Sequence, residues 1–397
     1  MRAPRQYREI IVHRVFMSVM LLAIAVSVSG ATWHVAKDGT GDFSVIQDAV
    51  EAASPGDTIW IHAGRYEEIV EDFDVWGNDT VRANVHVAVT KDNLTFKGDG
   101  PELTIIGPET QPDDQPANYM GISATNSYAS GVTVSDLAIE SAYYGMYLAC
   151  TSATVSGSRF EGTDEGVRVQ ASGSCAFDNC DFIEAGESIG AYSPACNLRI
   201  TNSRFTNCWT AGTYVTTENV VLEDCAVVGA HTPFNFQQGT SAVLRRVEVR
   251  DYVTTGVYVA SGSSAEVFNC IFEGGMNGVG SNGESFVCVG TAFLGQSNRT
   301  VTINNGGDAR FESCSFINGG GLSVYCWYNG SQDCRVDMTN CYWGTDSEEQ
   351  IAEWIHDSND EPEFCCVVDF IPFQTGTPVE SRSWSSVKGL FKGGGEE

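Results

Sequence analysis

Positive charge is scarce in this 397-residue chain, which has 22 Lys and Arg against 51 Asp and Glu and a formal net charge of −29 at pH 7. A surface of this sign disfavours nucleic acid and anionic membranes as partners, and it would repel a polyuronate unless a divalent cation intervened. The sequence also lacks any Cys-x-x-Cys, which removes the strongest signals of zinc and thioredoxin-type sites.

Long apolar runs are missing after residue 31. The first 31 residues combine a basic start, an apolar run over 15–28 and the small residues Ser29-Gly30-Ala31, a pattern typical of a secretory signal peptide. The alternative is an uncleaved anchor, although the run is short for a membrane span. We therefore predict a signal peptide at 1–31 and a secreted, periplasmic or cell-surface protein without a membrane span after cleavage. Losing this segment, with its four Arg and one Glu, changes the net charge to −32.

The sequence does contain a unit of about 22 residues that recurs from Gly131 to about Trp343. Each copy has a short apolar strand, a polar bend and a second strand that ends in a large apolar residue. A fixed period of this size predicts a solenoid whose units must stack to bury a core. The copies are TVSDLAI (133–139), TVSGSRF (154–160), AFDNCDF (176–182), RITNSRF (199–205), VLEDCAV (221–227), VLRRVEV (243–249), EVFNCIF (266–272), VCVGTAF (287–293), RFESCSF (310–316) and DMTNCYW (337–343).

Two positions of the unit, two residues apart, indicate a buried face. One position holds small residues such as Cys180 and Ser203, and the other is mostly Phe, as in Phe182 and Phe205. A spacing of two on a strand puts both side chains on the same side, so we predict that they form the interior. The residue before the small position is most often Asn, Asp or Gly, which tolerate a left-handed backbone, and this predicts a sharp bend there.

Three short strands per unit without a helical period predict an all-β fold, a right-handed single-stranded parallel β-helix of about 10–12 coils with short helical caps. We expect a β-helix domain over 32–374, with regular coils at 131–343, caps at 32–68 and 344–374, and a tail at 375–397. The apolar spacing after residue 45 predicts a capping helix, and Ser347 with Gln350 fits the capping box of a second helix. The stretches 72–91 and 108–130 are expected to be loops that flank the first coils.

Both ends of the domain carry a family resemblance. The segment 33–68 contains VAKDGTGDF, IQDAV and GRYEE, and it resembles the start of pectin methylesterases and of other proteins with the pectate-lyase-like β-helix. The WGT turn at 343–345 and the helix after it are similar to the closing segment of bacterial β-helix repeat proteins. The resemblance implies a fold without naming a reaction. It also implies that a substrate lies along the outer face of the strands that follow the Gly-rich turns.

Aromatic and amide residues on those strands are the candidate substrate-binding residues, because sugar rings stack on aromatic faces and form hydrogen bonds at their rims. The alternative interpretation is that Tyr and Thr are simply favourable outward residues of a strand. The candidates are Tyr147, Arg168, Gln170, Tyr214, Asn235 and Tyr258.

Catalytic residues are harder to identify. Glycoside hydrolysis needs two facing carboxylates, and the outward rows contain none. Asp164 and Glu165 beside Arg168 form the densest acidic cluster and are the weak catalytic candidates, with solvated surface as the alternative. If the protein is an enzyme, we expect activity of the lyase, glycoside hydrolase or carbohydrate esterase type, but no complete catalytic set is recognisable. No motif requires a cofactor, and Ca²⁺ is the ion that the acidic turns would accept.

The 14 cysteines all lie after residue 31, and export would permit disulfides. The predicted pair is Cys326 with Cys334, which brackets a short loop. Cys180, Cys225 and Cys270 fall in alternate coils, too far apart for a bond, and we interpret them as buried thiols that pack like small hydrophobic groups.

Two functions stay open from the sequence, because a fold alone does not carry function. The first is a secreted or cell-surface monomer that binds, and in an enzymatic version processes, a polysaccharide along the outer face of the coils. The second is a non-catalytic extracellular scaffold for structure or adhesion, which would meet a cell-surface partner and have no glycan role.

Overall fold

The computed structural model of the protein describes residues 30–110, 119–304, 308–317, 323–327, 334–364 and 366–376. The predicted signal peptide before Gly30 and the predicted tail beyond Gly376 lie outside these residues. Within the described chain, about 12 turns stack into three long sheets, which confirms the predicted parallel β-helix. No helix in this part of the chain is long and apolar enough to cross a membrane.

The three sheets run along the solenoid, and apart from the antiparallel strand Val70–Asp74 their strands pair in parallel with their equivalents in the next coil. Among the described residues, sheet A has 14 strands, sheet B has 11 and sheet C has 13. Sheet A consists of Thr32–Val35, Thr58–Ile61, Leu94–Gly98, Gly131–Ser135, Ser152–Ser156, Ser174–Asp178, Asn197–Thr201, Asn219–Glu223, Ser241–Arg245, Ser264–Phe268, Ser285–Val289, Asp308–Glu312, Cys334–Asp337 and Cys366–Asp369. Sheet B consists of Gly64–Tyr66, Thr104–Ile106, Ala138–Glu140, Arg159–Glu161, Asp181–Ile183, Arg204–Thr206, Ala226–Val228, Glu248–Tyr252, Ile271–Gly274, Ala292–Leu294 and Ser315–Ile317. Sheet C consists of Val70–Asp74, Arg82–Val89, Tyr119–Thr125, Tyr144–Ala149, Glu165–Val169, Glu187–Ala191, Thr210–Val215, Phe234–Gln237, Thr255–Val259, Asn277–Ser281, Arg299–Ile303, Val324–Cys326 and Ile355–His356.

The predicted aromatic column of sheet B forms the interior. Phe160, Phe182 and Phe205 are fully buried, and their rings stack with centroids 4.9 and 5.0 Å apart and planes within 7° of parallel. Stacking of this kind follows from the fold, because equivalent strands of a parallel β-helix lie about 4.8 Å apart. The repeated Phe therefore supplies a stacked ring to the core in most coils, and Ile139, Val227 and Val249 fill the same position in others.

The small residues of the neighbouring column are interchangeable for a specific reason. Cys225 and Cys270 each donate a weak hydrogen bond from the thiol to the carbonyl oxygen two residues earlier, at 3.4 Å. Ser158 and Ser203 make the same bond with their hydroxyls at 3.0 and 2.8 Å. A buried Cys, Ser or Thr can thus satisfy its polar hydrogen locally, and the interpretation of these cysteines as buried free thiols is confirmed.

Sharp bends occur where the sequence predicts them. Asn179, Asn202 and Asn269 have φ of 53°, 51° and 53°, which is the left-handed region, and Gly157 and Gly290 occupy the same position in their coils. Even Arg246 adopts φ of 52° there, held by hydrogen bonds from its guanidinium to Asp224. The bend between sheets A and B is therefore set by the repeat and not by one residue type.

Short helices lie near both ends. Helix α1, Ile46–Ala52, buries Ile46, Ala49 and Val50 against the first coils. Helix α2, Glu348–Glu353, begins after Ser347, whose side chain accepts a hydrogen bond from the backbone N–H of Gln350 at 3.2 Å. This is one half of the predicted capping box; the backbone N–H of Ser347 donates instead to Oγ1 of Thr345.

The stretch 72–91, expected to be a loop, largely forms strands of sheet C. Arg82–Val89 pairs in parallel with Tyr119–Thr125, and Val70–Asp74 folds back on it in an antiparallel pair. The physical reason is the apolar alternation of Val85, Val87 and Val89, which are all buried. The second expected loop, 108–130, is also wrong in part, since residues 119–125 are a strand.

The predicted disulfide is wrong. Cys334 is bonded to Cys366, with a Cα–Cα distance of 4.4 Å, and Cys326 is a buried free thiol. Cys334 and Cys366 lie directly opposite each other on neighbouring strands of sheet A, whereas Cys326 belongs to sheet C. Neighbouring strands therefore brought together two cysteines that are 32 residues apart in the chain.

Candidate functional site

The outer face of sheet C carries one continuous row of outward positions. Cross-strand register pairs Tyr147 with Arg168, and the row continues through Thr213, Asn235 and Tyr258 in later coils. Four of the six predicted binding residues, Tyr147, Arg168, Asn235 and Tyr258, therefore share this outward row.

Tyr214 does not belong to that row, and the expectation that it faces outward is wrong. Its side chain is fully buried and stacks on Phe236, with ring centroids 5.5 Å apart. Thr213 occupies the outward position instead. The reason is Gly212, which takes an inward position without a side chain, so that the ring of Tyr214 fills the space beside it. Burial raises the pKa of the Tyr214 phenol well above its ordinary value.

Tyr147 points outward but is covered. The ring of Trp76, from the turn of the antiparallel pair, packs edge-on against it with centroids 5.8 Å apart, and Tyr147 is 7% exposed. Its hydroxyl donates a hydrogen bond to Oε1 of Gln170 at 2.9 Å, which brings two predicted binding residues together. Tyr147 and Gln170 thus form the wall at one end of the exposed face.

Arg168 is held tightly beside that wall. Its guanidinium binds both carboxylate oxygens of Glu165, with Nε to Oε1 at 3.1 Å and Nη2 to Oε2 at 2.8 Å. It also lies between the rings of Tyr144 and Tyr192, 4.9 Å from each centroid. Two rings and one carboxylate therefore fix the position of this cation.

Glu165 and Glu187 are cross-strand neighbours next to Arg168. Burial raises the pKa of Glu165 to about 7; Arg168 opposes this shift and the Glu187 carboxylate adds to it. Tyr192 donates a hydrogen bond to Oε2 of Glu187 at 2.8 Å, while Oε1 of Glu187 is enclosed without a hydrogen-bond partner. Gly190 makes this packing possible, since a Cβ there would overlap Glu165 and the ring of Tyr192.

An open cleft of about 440 Å³ adjoins this cluster. Glu187 and Asn235 line it, and Asp164, the third weak catalytic candidate, lies at its exposed edge. Tyr258 lies one coil beyond Asn235 and accepts a hydrogen bond from Asn282 at 2.9 Å. The lining residues are Tyr143, Asp164, Gly186, Glu187, Trp209, Thr210, Thr213, Thr232 and Asn235.

Trp209 is the residue of this cleft that sequence reasoning missed. It is 62% exposed, and one face of its ring stacks on His231 with centroids 3.9 Å apart and planes 5° from parallel. The sequence could have indicated it, because Trp209 stands at a turn position of the repeat, where the side chain is not expected to be buried in the core. An exposed ring that is held rigid from one side offers its other face to a ligand.

Trp209 begins a partly exposed, mostly apolar ridge along the solenoid axis. Backbone hydrogen bonds between coils align Trp209, His231, Val253 and Met276 at the same corner of four successive turns. Val253 is 54% exposed and Met276 45% exposed. We call these four residues the corner ridge; with coils about 4.8 Å apart, it is about 14 Å long.

Metal ligands are not gathered in this region. Among the described residues, no group of three or more His, Cys, Asp or Glu side chains could hold a metal ion. The expectation that the acidic turns accept Ca²⁺ stays a prediction.

Comparisons with known proteins agree with this architecture. A protein-family model described as the right handed beta helix region matches this sequence at residues 120–231 and 144–305. The chain is therefore a β-helix repeat protein. No curated protein sequence matches it.

Solved structures of similar fold include the catalytic domain of a GH87 alpha-1,3-glucanase in complex with tetrasaccharides, at 12% identity and a TM-score of 0.57, with 88% of this chain and 70% of that chain covered. A second is the catalytic unit of a thermostable GH87 alpha-1,3-glucanase from Streptomyces thermodiastaticus strain HF3-3, at 10% identity and a TM-score of 0.46, covering 83% of this chain and 66% of that one. At these identities, the similarity of the first structure shows the fold alone.

Proposed function

We propose that this protein binds a polysaccharide in the cleft on the outer face of sheet C, with the glycan chain running along the corner ridge. The observation that carries the proposal is Trp209, whose ring is backed by His231 and exposed at the cleft edge. Flat apolar rings in such a setting suit the CH faces of sugars.

The polar lining of the cleft supports the same function. Thr210, Thr213 and Thr232 bring hydroxyl groups next to Trp209, and Asn235 brings an amide. These groups match the hydroxyl rim of a sugar, while Val253 and Met276 extend the apolar ridge to the following coils. A linear glycan parallel to the solenoid axis would meet similar contacts in each coil, since the coils repeat about every 4.8 Å.

Comparison with glucanase catalytic domains supports the proposal at the level of fold. The alpha-1,3-glucanase domain is a structure in complex with tetrasaccharides, and this chain shares its fold over 88% of its length. The specific linkage is not carried over, because 12% identity transfers no residue roles.

Binding is tested by affinity measurements with a panel of tetrasaccharides on Trp209→Ala and Trp327→Ala. Trp327 is 54% exposed, follows the sheet C strand Val324–Cys326 and lies five coils further along, away from the cleft, so it is the control. We expect Trp209→Ala to weaken binding at least about tenfold. Stacking of a nucleic-acid base on an aromatic side chain is worth about 1 to 3 kcal/mol, and a sugar ring stacked on Trp uses a comparable contact area. Equal affinity of the wild type and Trp209→Ala for every bound glycan would contradict the proposal.

Hydrolysis of the bound glycan is the second candidate function, and it is favoured by one observation. Asp164 and Glu187 both line the cleft. In this reaction one of these carboxyl groups, in its protonated form, would donate a proton to the leaving glycosidic oxygen and the other would take a proton from the attacking water, so that one C–O bond breaks and one forms. Release of new reducing ends that is lost in Glu187→Gln, while glycan binding persists, is the result that supports it. Binding without turnover by the wild type would exclude it.

Export is part of the proposal. The disulfide Cys334–Cys366 supports an oxidising compartment, in agreement with the expected signal peptide at 1–31. N-terminal sequencing of the protein from the culture medium or periplasm should find a chain that begins close to Thr32. A chain recovered from the cytoplasm with residues 1–31 intact would contradict it.

A further inference from the structure

We propose that the glycan bound in this cleft carries free amino groups, so that the ligand is a polymer of amino sugars with protonated, unacetylated amines. The inference rests on the proposed function, because it concerns the ligand of the same cleft. It is carried by the charge of the cleft, by its unsatisfied hydrogen-bond acceptors and by the aromatic face beside them.

The charge of the cleft is negative. Asp164 and Glu187 both line it, and none of the described lining residues is Lys or Arg. Arg168 lies on the strand that starts directly after Asp164, and it is already bound to Glu165 and held between two tyrosine rings. A polyuronate would therefore meet two lining carboxylates of its own sign, whereas an ammonium group would be attracted.

The acceptors of the cleft lack donors. Oε1 of Glu187 and Oδ1 of Asn235 are both enclosed and have no hydrogen-bond partner. A buried acceptor that is left unpaired is unfavourable, so a ligand that brings donors gains from both atoms once the side chains adjust. An ammonium group has three donors and no acceptor, which makes it a better match than a neutral hydroxyl for either acceptor; the two lie two coils apart, so each would meet a different sugar unit.

Trp209 favours the same ligand. Its exposed ring face can stack on the apolar face of a sugar, and an aromatic face also attracts a nearby cation. Stacking alone would be equal for acetylated and free amino sugars. The preference for the charged form must therefore come from Glu187 and Asp164. Substitutions of these two residues can be used to separate it from stacking on Trp209.

The experiment compares the affinity of the protein for three oligosaccharides of equal length by isothermal titration calorimetry. They are a glucosamine hexamer, its fully N-acetylated counterpart and a neutral glucose hexamer, measured at a pH where the free amines are protonated. We expect the glucosamine hexamer to bind about tenfold more tightly than the acetylated one, and added salt to reduce this preference.

Substitution of Glu187 locates the source of the preference. Glu187→Gln should remove most of it. Glu266→Gln removes the same charge from an exposed outward position of sheet A, away from the cleft, and should leave the preference intact. If Glu187→Gln does not fold, Asp164→Asn at the exposed edge of the cleft makes the same test.

Three results would overturn the inference: equal affinity for the two hexosamine oligomers, a preference that survives Glu187→Gln and Asp164→Asn, or a preference that Glu266→Gln reduces as much. In these cases a glycan that still binds through Trp209 leaves the proposed function standing. If no oligosaccharide binds and Trp209→Ala changes nothing, the proposed function itself has failed.

Discussion

The ring of Tyr214 lies in the space beside Gly212, two residues earlier on the same strand of sheet C. A Cβ at Gly212 would overlap the hydroxyl and ring carbons of Tyr214, which are fully buried. The two residues therefore form one packing unit: the missing side chain of one makes room for the large side chain of the other. This pairing decides that Thr213 faces the cleft.

The pairing predicts that Gly212→Ala destabilises the protein by about 2 kcal/mol, because overpacking a filled core forces side chains and backbone to shift. Urea unfolding measures the free energy. Gly280→Ala is the matched control: Gly280 has an outward position on sheet C, and an added Cβ there would meet its nearest atoms at 3.5 Å.

A double-mutant cycle tests whether Tyr214 is the cause. In a Tyr214→Val background the added methyl has room, so the penalty of Gly212→Ala should fall to less than about half. An equal penalty in both backgrounds would show that the backbone of Gly212, and not the tyrosine ring, opposes the substitution.

Stability should depend on pH through Glu165. Burial raises the pKa of its carboxyl to about 7, so the folded protein keeps a proton that the unfolded chain releases near the ordinary value. The stabilisation is therefore complete at low pH and is lost as the pH rises through about 7. Between about pH 5 and pH 8, the wild type should lose roughly 2 kcal/mol more unfolding free energy than Glu165→Gln.

Urea unfolding at the two pH values checks this difference, and Glu266→Gln controls for general charge effects, since Glu266 is an exposed outward residue of sheet A. Parallel pH profiles for the wild type and Glu165→Gln would contradict the prediction.

Much of the fold could be predicted from the repeat, because equivalent positions of each coil have the same backbone conformation and the same burial. Phe182 and Phe205 each identify the interior, and Asn202 and Asn269 each identify a bend, so that one irregular copy does not change the alignment. Arg246 shows the limit of this logic, because its left-handed backbone is predicted by its position and not by its residue type.

The site was less predictable, since it depends on departures from the repeat. Alternation along Thr210–Val215 cannot decide between Thr213 and Tyr214 when Gly212 gives no signal of its face. The cover over Tyr147 comes from Trp76, which lies outside the regular coils and 71 positions earlier in the sequence. Contacts of this kind depend on three-dimensional packing between distant segments, and no local sequence pattern predicts them.

The bends predict a specific response at Asn269, whose φ is 53°. Asn269→Ala should cost about 1 kcal/mol, because an ordinary side chain is disfavoured in the left-handed region, whereas Asn269→Gly should be nearly neutral. The difference between the two unfolding free energies is the measurement. If both substitutions cost the same, the side-chain contacts of Asn269, and not its backbone conformation, hold the bend.

The disulfide gives the last prediction. Cys334 and Cys366 join neighbouring strands of sheet A near the C-terminal end, so the bond ties the final strand Cys366–Asp369 to the coil before it. Cys334→Ser should destabilise the oxidised protein by about 2 to 4 kcal/mol, because the crosslink restricts the unfolded chain. In the reduced protein the same substitution should have a much smaller effect, since the bond is then absent in both. Peptide mapping without reduction should recover Cys334 linked to Cys366, while Cys326, a buried thiol, reacts with an alkylating reagent after unfolding. Recovery of a Cys326–Cys334 peptide would show instead that these two cysteines pair, and the final strand would then be held by its hydrogen bonds alone.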